Sequence, residues 1–267
     1  MNKAGLRRVL IGATAGLLLA YLIFAGALYF TQRSMIYPAP LPSATLPDGY
    51  RRIVLKTADG LTLAALYRPP DPGKRVLVFF HGNGDGWDGA AKANRLLVEA
   101  GYGVLLAEYR GYGANPGQPG EAGFYADGRA ALAWLSAAGV QPGQIVLIGN
   151  SIGSGTATQL ATEIRPAGLI LISGFTSLPD VVATQLPWLP GRWLVQDTYD
   201  NRAKLGQVTA PVLILHGAAD QMVLPAQARA LQAANRRAKL IVVPGFGHEL
   251  AYQPAAQQIE LDWLARL

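Results

Sequence analysis

Apolar residues are arranged along this chain in two regimes. The first is a single long run: residues 9–30 include no charged side chain, a stretch of 22 residues. That is enough for a helix to cross a bilayer, which takes about 20. From residue 51 onward the apolar runs become short. Segments 51–57 and 61–67 flank Ala58-Asp59-Gly60 and predict an antiparallel hairpin. Apolar runs at 75–80, 103–107, 145–149, 168–172, 211–215 and 239–243 predict six more strands. Helical patterns near 87–100, 123–138, 151–164, 225–236 and 254–267 separate them. Strands alternating with helices predict an α/β architecture, a mostly parallel eight-stranded sheet flanked by helices on both faces. The organisation expected is an N-terminal membrane segment over 1–33, a linker over 34–50 and one domain over 51–267, long enough for a large core. The interval between residues 172 and 211 exceeds what a helical crossover needs and predicts a small cap at about 175–206.

Charge refines the reading of the first run. Lys3, Arg7 and Arg8 precede it and Arg33 alone follows closely, so the positive-inside rule puts the N-terminus in the cytoplasm and the domain outside, in the periplasm of a diderm bacterium. A cleavable signal peptide is the competing expectation. Ala25-Gly26-Ala27 resembles a small-residue cleavage site, and cutting near Ala27 would release a secreted protein. The apolar stretch continuing through Leu28-Tyr29-Phe30 favours an uncleaved anchor, because it outruns a usual signal core and puts aromatic residues where an interface would lie. The net charge of +6 carries little further meaning. Residues 1–33 hold four of the 23 basic residues and no acidic one, which leaves 19 basic against 17 acidic. That gives no case for nucleic-acid binding. With no cysteine and three scattered histidines, neither a thiol nucleophile nor a metal site is expected. Gly82-Asn83-Gly84-Asp85-Gly86 does not have the spacing of a dinucleotide fingerprint, so no cofactor is expected.

The candidate chemistry centres on Gly149-Asn150-Ser151-Ile152-Gly153. It follows the apolar run 145–148 and opens a small-residue helical stretch, the strand, sharp turn and helix context of a nucleophile elbow. In that setting the partners follow in the order Ser, then Asp or Glu, then His. His81 precedes Ser151 and His216 ends a strand-like run, so the base expected is His248, in the glycine-rich loop after 240–243. Asp220, shortly after the strand ending at Leu215, is the acid expected to orient it. Asp180, Asp197, Asp200 and Glu163 are weaker rivals, because they fall in the cap or a helix. The oxyanion donors expected are the backbone N–H of Ile152, at a helix N-terminus, and that of Asn83, after the strand 76–80. Trp188 and Trp193 either wall the substrate pocket or anchor the cap. Tyr112 either lines the pocket or closes the sheet edge.

With His81-Gly82-Asn83-Gly84, the Gly149–Gly153 elbow, Asp220 and His248 all in order, the chain resembles the alpha/beta-hydrolase superfamily over roughly residues 50–267. It looks most like the membrane-anchored alpha/beta-hydrolase-domain branch, whose arginine-tyrosine-glycine loop is matched by Tyr109-Arg110-Gly111-Tyr112-Gly113 and whose segment after the sixth strand is matched by Phe175-Thr176-Ser177. Glu108 stands where aspartate is usual, and Ser154 replaces a common glycine. The resemblance implies an alpha/beta-hydrolase fold with a small cap and an N-terminal transmembrane helix. It also implies a serine hydrolase acting through an acyl-enzyme. A small-molecule carboxylic ester or thioester bearing an apolar acyl group is the expected substrate, with Tyr112, Phe175, Trp188 and Trp193 as candidate contacts. A peptidase or amidase of the same fold and a non-catalytic binding module are the alternatives.

Overall fold

The computed structural model describes residues 2–40 and 45–267. It begins with a 34-residue helix, α1 (Lys3–Ile36), of which only Ala25 is buried. This is the one helix among the described residues that is long and apolar enough to cross a membrane. The helix runs through the start of the expected linker, whose residues 41–44 lie outside the described residues.

Two strands, β1 (Arg51–Lys56) and β2 (Thr62–Arg68), then form the hairpin, with Arg51 opposite Tyr67. Alternating elements follow: β3 (Val76–Phe80), α2 (Trp87–Ala93), α3 (Arg95–Glu99), β4 (Gly103–Ala107), α4 (Glu121–Ala137), β5 (Ile145–Asn150), α5 (Gly153–Glu163) and β6 (Gly168–Ile172). Three short helices make the insertion: α6 (Leu178–Gln185), α7 (Gly191–Leu194) and α8 (Asn201–Leu205). The chain ends with β7 (Val212–Gly217), α9 (Pro225–Ala234), β8 (Lys239–Val243) and α10 (Pro254–Leu264).

The eight strands form one sheet in the order β1-β2-β4-β3-β5-β6-β7-β8. The first two pairings are antiparallel and the other five parallel. The central strands β3 to β7 are buried on both faces, because two helical layers cover them. Apolar side chains on the two faces accordingly form two cores. One is built around Phe80, Tyr109, Phe124 and Leu160, the other around Phe79, Leu97, Leu215 and Trp263.

The helix expected over 87–100 is divided at Asn94. Its buried side-chain amide donates to the carbonyl of Ala90 at 2.8 Å, competing with the backbone ladder and starting a second short helix. From β3 the chain steps to one side, to β4, and then returns to the other side of β3 as β5. Such a switch point opens a crevice at the strand C-terminal ends, where α/β sheets place their sites.

Candidate active site

Ser151 follows β5 directly and has φ 52°, a left-handed conformation that costs a side-chain-bearing residue energy. Its neighbours make the turn feasible. A Cβ on Gly153 would overlap the carbonyl of Phe80 in β3, and a Cβ on Gly149 would overlap Gly153 and Ser154. The strain therefore has a structural use: it lifts Ser151 out of the strand and aims α5 back against the sheet. Two backbone bonds fix the turn, Ser151 N–H to the carbonyl of Ile172 and Ser154 N–H to that of Ser151, both 2.9 Å.

Three side chains from three loops meet here. His248 Nε2 lies 2.9 Å from Ser151 Oγ, and His248 Nδ1 lies 2.8 Å from Asp220 Oδ2. Asp220 is completely buried, and its other oxygen, Oδ1, accepts from the backbone N–H groups of Met222 and Val223 at 2.9 Å each. Burial alone would raise this carboxyl. The bonds from His248 and the Val223 amide, together with the imidazoles beside it, hold it below the usual carboxylate range. The loops carrying Asp220 and His248 are laced together: Ala218 and Ala219 donate to Val243 and Phe246, and Gly217 has no space for a side chain against Gly247. A serine hydroxyl bonded to an imidazole that is itself held by a buried carboxylate can pass its proton to that imidazole on attacking an electrophile.

Among the described residues, neither the backbone N–H of Asn83 nor that of Ile152 is hydrogen-bonded. Ile152 immediately precedes α5, so its N–H sits at the positive end of that helix. The Asn83 loop is held from beneath. Tyr112 O–H donates to the carbonyl of Asn83 at 2.7 Å, and Tyr109 O–H donates to that of His81 at 3.0 Å. His81 Nδ1 faces the carbonyl of Gly82, an acceptor only, and Nε2 faces Glu108 Oε1, both at 2.8 Å. Burial disfavours a charge on His81, but the carboxylates of Glu108 and Asp85 and the bond to Gly82 together outweigh it and raise the imidazole pKa. Both partners are acceptors, so this setting suits an imidazole that donates from both ring nitrogens.

The other candidates separate clearly. His216 is fully buried with Nε2 bonded to the carbonyl of Val223 at 2.7 Å, and burial lowers its pKa. Asp180 accepts from Thr176, Asp200 caps α8, and Glu163 pairs with Arg129. Asp197 accepts from Tyr37 and Arg33. None of these four carboxylates is bonded to His248.

Two of the four expected substrate contacts are buried. Tyr112 is fully buried and faces the underside of the Asn83 loop, and Phe175 is buried with its edge toward Tyr199. Trp188 and Trp193 are exposed, but Trp188 packs on Phe24 of α1 at a ring distance of 5.7 Å, so it is the helix that it meets.

Sequence reading missed three contributors. Tyr252 donates to Asp85 at 2.8 Å and lies 3.5 Å from the side chain of Asn150, tying the His248 loop to the loop after β3. Arg110, quoted in the Tyr109–Gly113 motif but given no role, braces that loop by bonding both Asp59 and Asp127. Tyr37, just past α1, reaches both Asp197 and Tyr199. Only Arg110, a charge inside a tyrosine-glycine loop, had a signal that could have marked it.

Comparison with known proteins identifies the family and the fold. A family model described as the alpha/beta hydrolase fold matches residues 75–206. An uncharacterized protein of Mycobacterium tuberculosis is 40% identical over 240 residues, covering 85% of each chain. The human alpha/beta hydrolase domain-containing protein 17B is 30% identical over 210 residues, covering 75% of this chain and 70% of that protein. Among solved structures, an esterase of Pyrococcus furiosus superposes with a TM-score of 0.67 at 18% identity, over 85% of this chain and 93% of the esterase.

Proposed function

The chain belongs to the alpha/beta-hydrolase family, and from that premise we propose that it is a membrane-anchored serine hydrolase cleaving a carboxylic ester or thioester through an acyl-enzyme. The observation that carries the proposal is the continuous line from Ser151 Oγ through His248 to buried Asp220. Ser151 Oγ attacks the substrate carbonyl carbon while His248 Nε2 takes the hydroxyl proton. The carbonyl oxygen, now carrying the electron pair, is received by the free N–H groups of Asn83 and Ile152. Collapse breaks the bond to the leaving group, which departs with the proton returned by His248. Water then repeats the sequence, giving its proton to His248 and releasing the acid and Ser151. Asp220 accepts from Nδ1 throughout, which holds the imidazole in the tautomer whose Nε2 is a base.

Several features favour a retained rather than a cleaved α1. α1 is uninterrupted through Ala27 and continues to Ile36, and Tyr21 and Phe24, upstream of that point, contact Trp188 of the cap. An anchored chain keeps these contacts, and a cleaved one loses them. The basic residues ahead of the span favour a cytoplasmic N-terminus with the hydrolase outside.

The test compares purified full-length protein and Ser151→Ala on p-nitrophenyl esters and on the matching p-nitroanilides. The proposal expects ester cleavage by the wild type, loss in the variant by a factor on the order of 10⁶ in kcat, and much slower anilide cleavage. Anilide turnover as fast as ester turnover would move the assignment to a peptidase or amidase.

A further inference from the structure

A narrow apolar groove runs between the last turns of α1 and the cap. Its walls are Leu28 and Ile36 on the helix side and Val182, Leu186, Leu189 and Leu194 on the cap side. The two walls are clamped together by polar contacts outside the apolar floor. Gln32 Nε2 donates to the carbonyl of Leu194 at 2.9 Å, Gln196 N–H donates back to Gln32 Oε1 at 2.9 Å, and Arg33 bonds Asp197. Higher on the helix, Tyr21 O–H donates to the carbonyl of Trp188.

The two ends of this groove differ. At one end is Ile36, whose carbonyl accepts from the side chain of Asn83 at 3.0 Å. Asn83 is the residue whose free N–H faces the reacting carbonyl, so the groove ends against the loop that receives the oxyanion. At the other end α1 continues through a mostly exposed apolar surface, within the run 9–30 read as the membrane span.

From this placement, and resting on the serine-hydrolase reading above, we propose that the groove binds the hydrocarbon chain of the acyl group, with the membrane helix itself forming one wall of the substrate site. The chemistry of the walls selects this occupant. The polar atoms of Gln32 that border the groove are already bonded to the cap, which leaves a peptide backbone or headgroup no partner there, whereas an alkyl chain needs none. The cavity, about 120 Å³, has no space for another helix, which is 10–12 Å across. A chain leaving the bilayer beside α1 would enter the groove lengthwise and bring its carboxyl carbon toward Ser151.

The proposal predicts a chain-length dependence that the rest of the site does not. Each methylene buried in the groove raises kcat/KM by up to about fourfold until the groove is filled. In Leu186→Trp, which fills the groove, the ratio of kcat/KM for a decanoyl over an acetyl ester falls at least tenfold. A ratio unchanged in a folded variant would overturn the proposal.

A second measurement uses the unaltered protein in phosphatidylcholine nanodiscs. It is labelled with a decyl fluorophosphonate carrying a diazirine at the end of its chain, irradiated, and mapped by peptide mass spectrometry. Adducts linking Ser151 to peptides spanning 28–36 or 182–195 support the groove. Labelled Ser151 with adducts instead on the separate, more polar cavity beside Arg52, Trp87 and Asn115 overturns the groove and leaves the hydrolase reading standing. Absence of any label on folded protein removes the hydrolase reading and this proposal with it.

Discussion

Asp220→Asn is the substitution whose effect follows most closely from the geometry. Asp220 Oδ1 accepts two backbone N–H groups, from Met222 and Val223, whereas Oδ2 alone faces His248 Nδ1. An asparagine there keeps its carbonyl oxygen on the two backbone donors, because turning the amide would set N–H against N–H in a completely buried site. Its NH₂ group therefore faces His248. Nδ1 must then be the acceptor, the ring proton moves to Nε2, and Nε2 donates to Ser151 Oγ instead of receiving its proton. The variant has a folded site with the wrong tautomer. For a Ser-His-Asp system this exchange lowers kcat by about 10⁴, or about 5.5 kcal/mol of barrier. The assay is steady-state ester hydrolysis at neutral pH, with circular dichroism confirming an unchanged fold and KM remaining within a few-fold. Retention of more than a tenth of wild-type kcat would refute the assignment of Asp220 as the orienting acid and return attention to the other carboxylates.

Three further outcomes are expected. Tyr112→Phe removes the bond that fixes the Asn83 carbonyl; a neutral hydrogen bond is worth about 0.5–1.5 kcal/mol net, so kcat should drop up to about tenfold with little change in KM, and a KM effect alone would contradict the supporting role. Gly153→Ala drives a Cβ into the carbonyl of Phe80, so activity and melting temperature should both fall, and an active, equally stable variant would show that the elbow is looser than described. Glu260 is buried with neither carboxylate oxygen bonded, and burial pushes its carboxyl up to about 8. The native state then holds a proton that the unfolded chain releases above its ordinary carboxylate pKa, so stability falls by about 1.4 kcal/mol per pH unit from about pH 4.5 to about pH 8. Glu260→Gln should flatten that slope in thermal melts from pH 5 to 8, and parallel curves for the two proteins would refute it.

The sheet and the meeting of Ser151, Asp220 and His248 were legible in the chain because each depends on local signals. A parallel strand buried on both faces reads as a short apolar run, and the elbow needs glycine two residues to either side of its serine. Loop order then singles out the carboxylate and the imidazole. Side-chain direction was less accessible. Tyr112 and Phe175 belong to loops flanking the site, yet their rings turn inward because Phe124 and Tyr199 offer aromatic partners there. The break at Asn94 turned on one buried amide choosing a backbone carbonyl. Least legible was the joining of α1 to the cap. Arg33 and Asp197, or Gln32 and Leu194, are separated by more than 160 residues, and neither side carries a pattern that names the other. The cap tryptophans could be noticed in the sequence, but not that one of them faces the membrane helix.

Ser151 acts, in the proposed function, as a nucleophile made reactive by His248 and Asp220. The most direct test of this role is treatment of the full-length protein in membranes with a fluorophosphonate, followed by mass spectrometry of the modified peptide. The account predicts one label per chain, on Ser151, lost in Ser151→Ala and strongly slowed in His248→Ala. A label on any other residue, or none on folded protein, would contradict it.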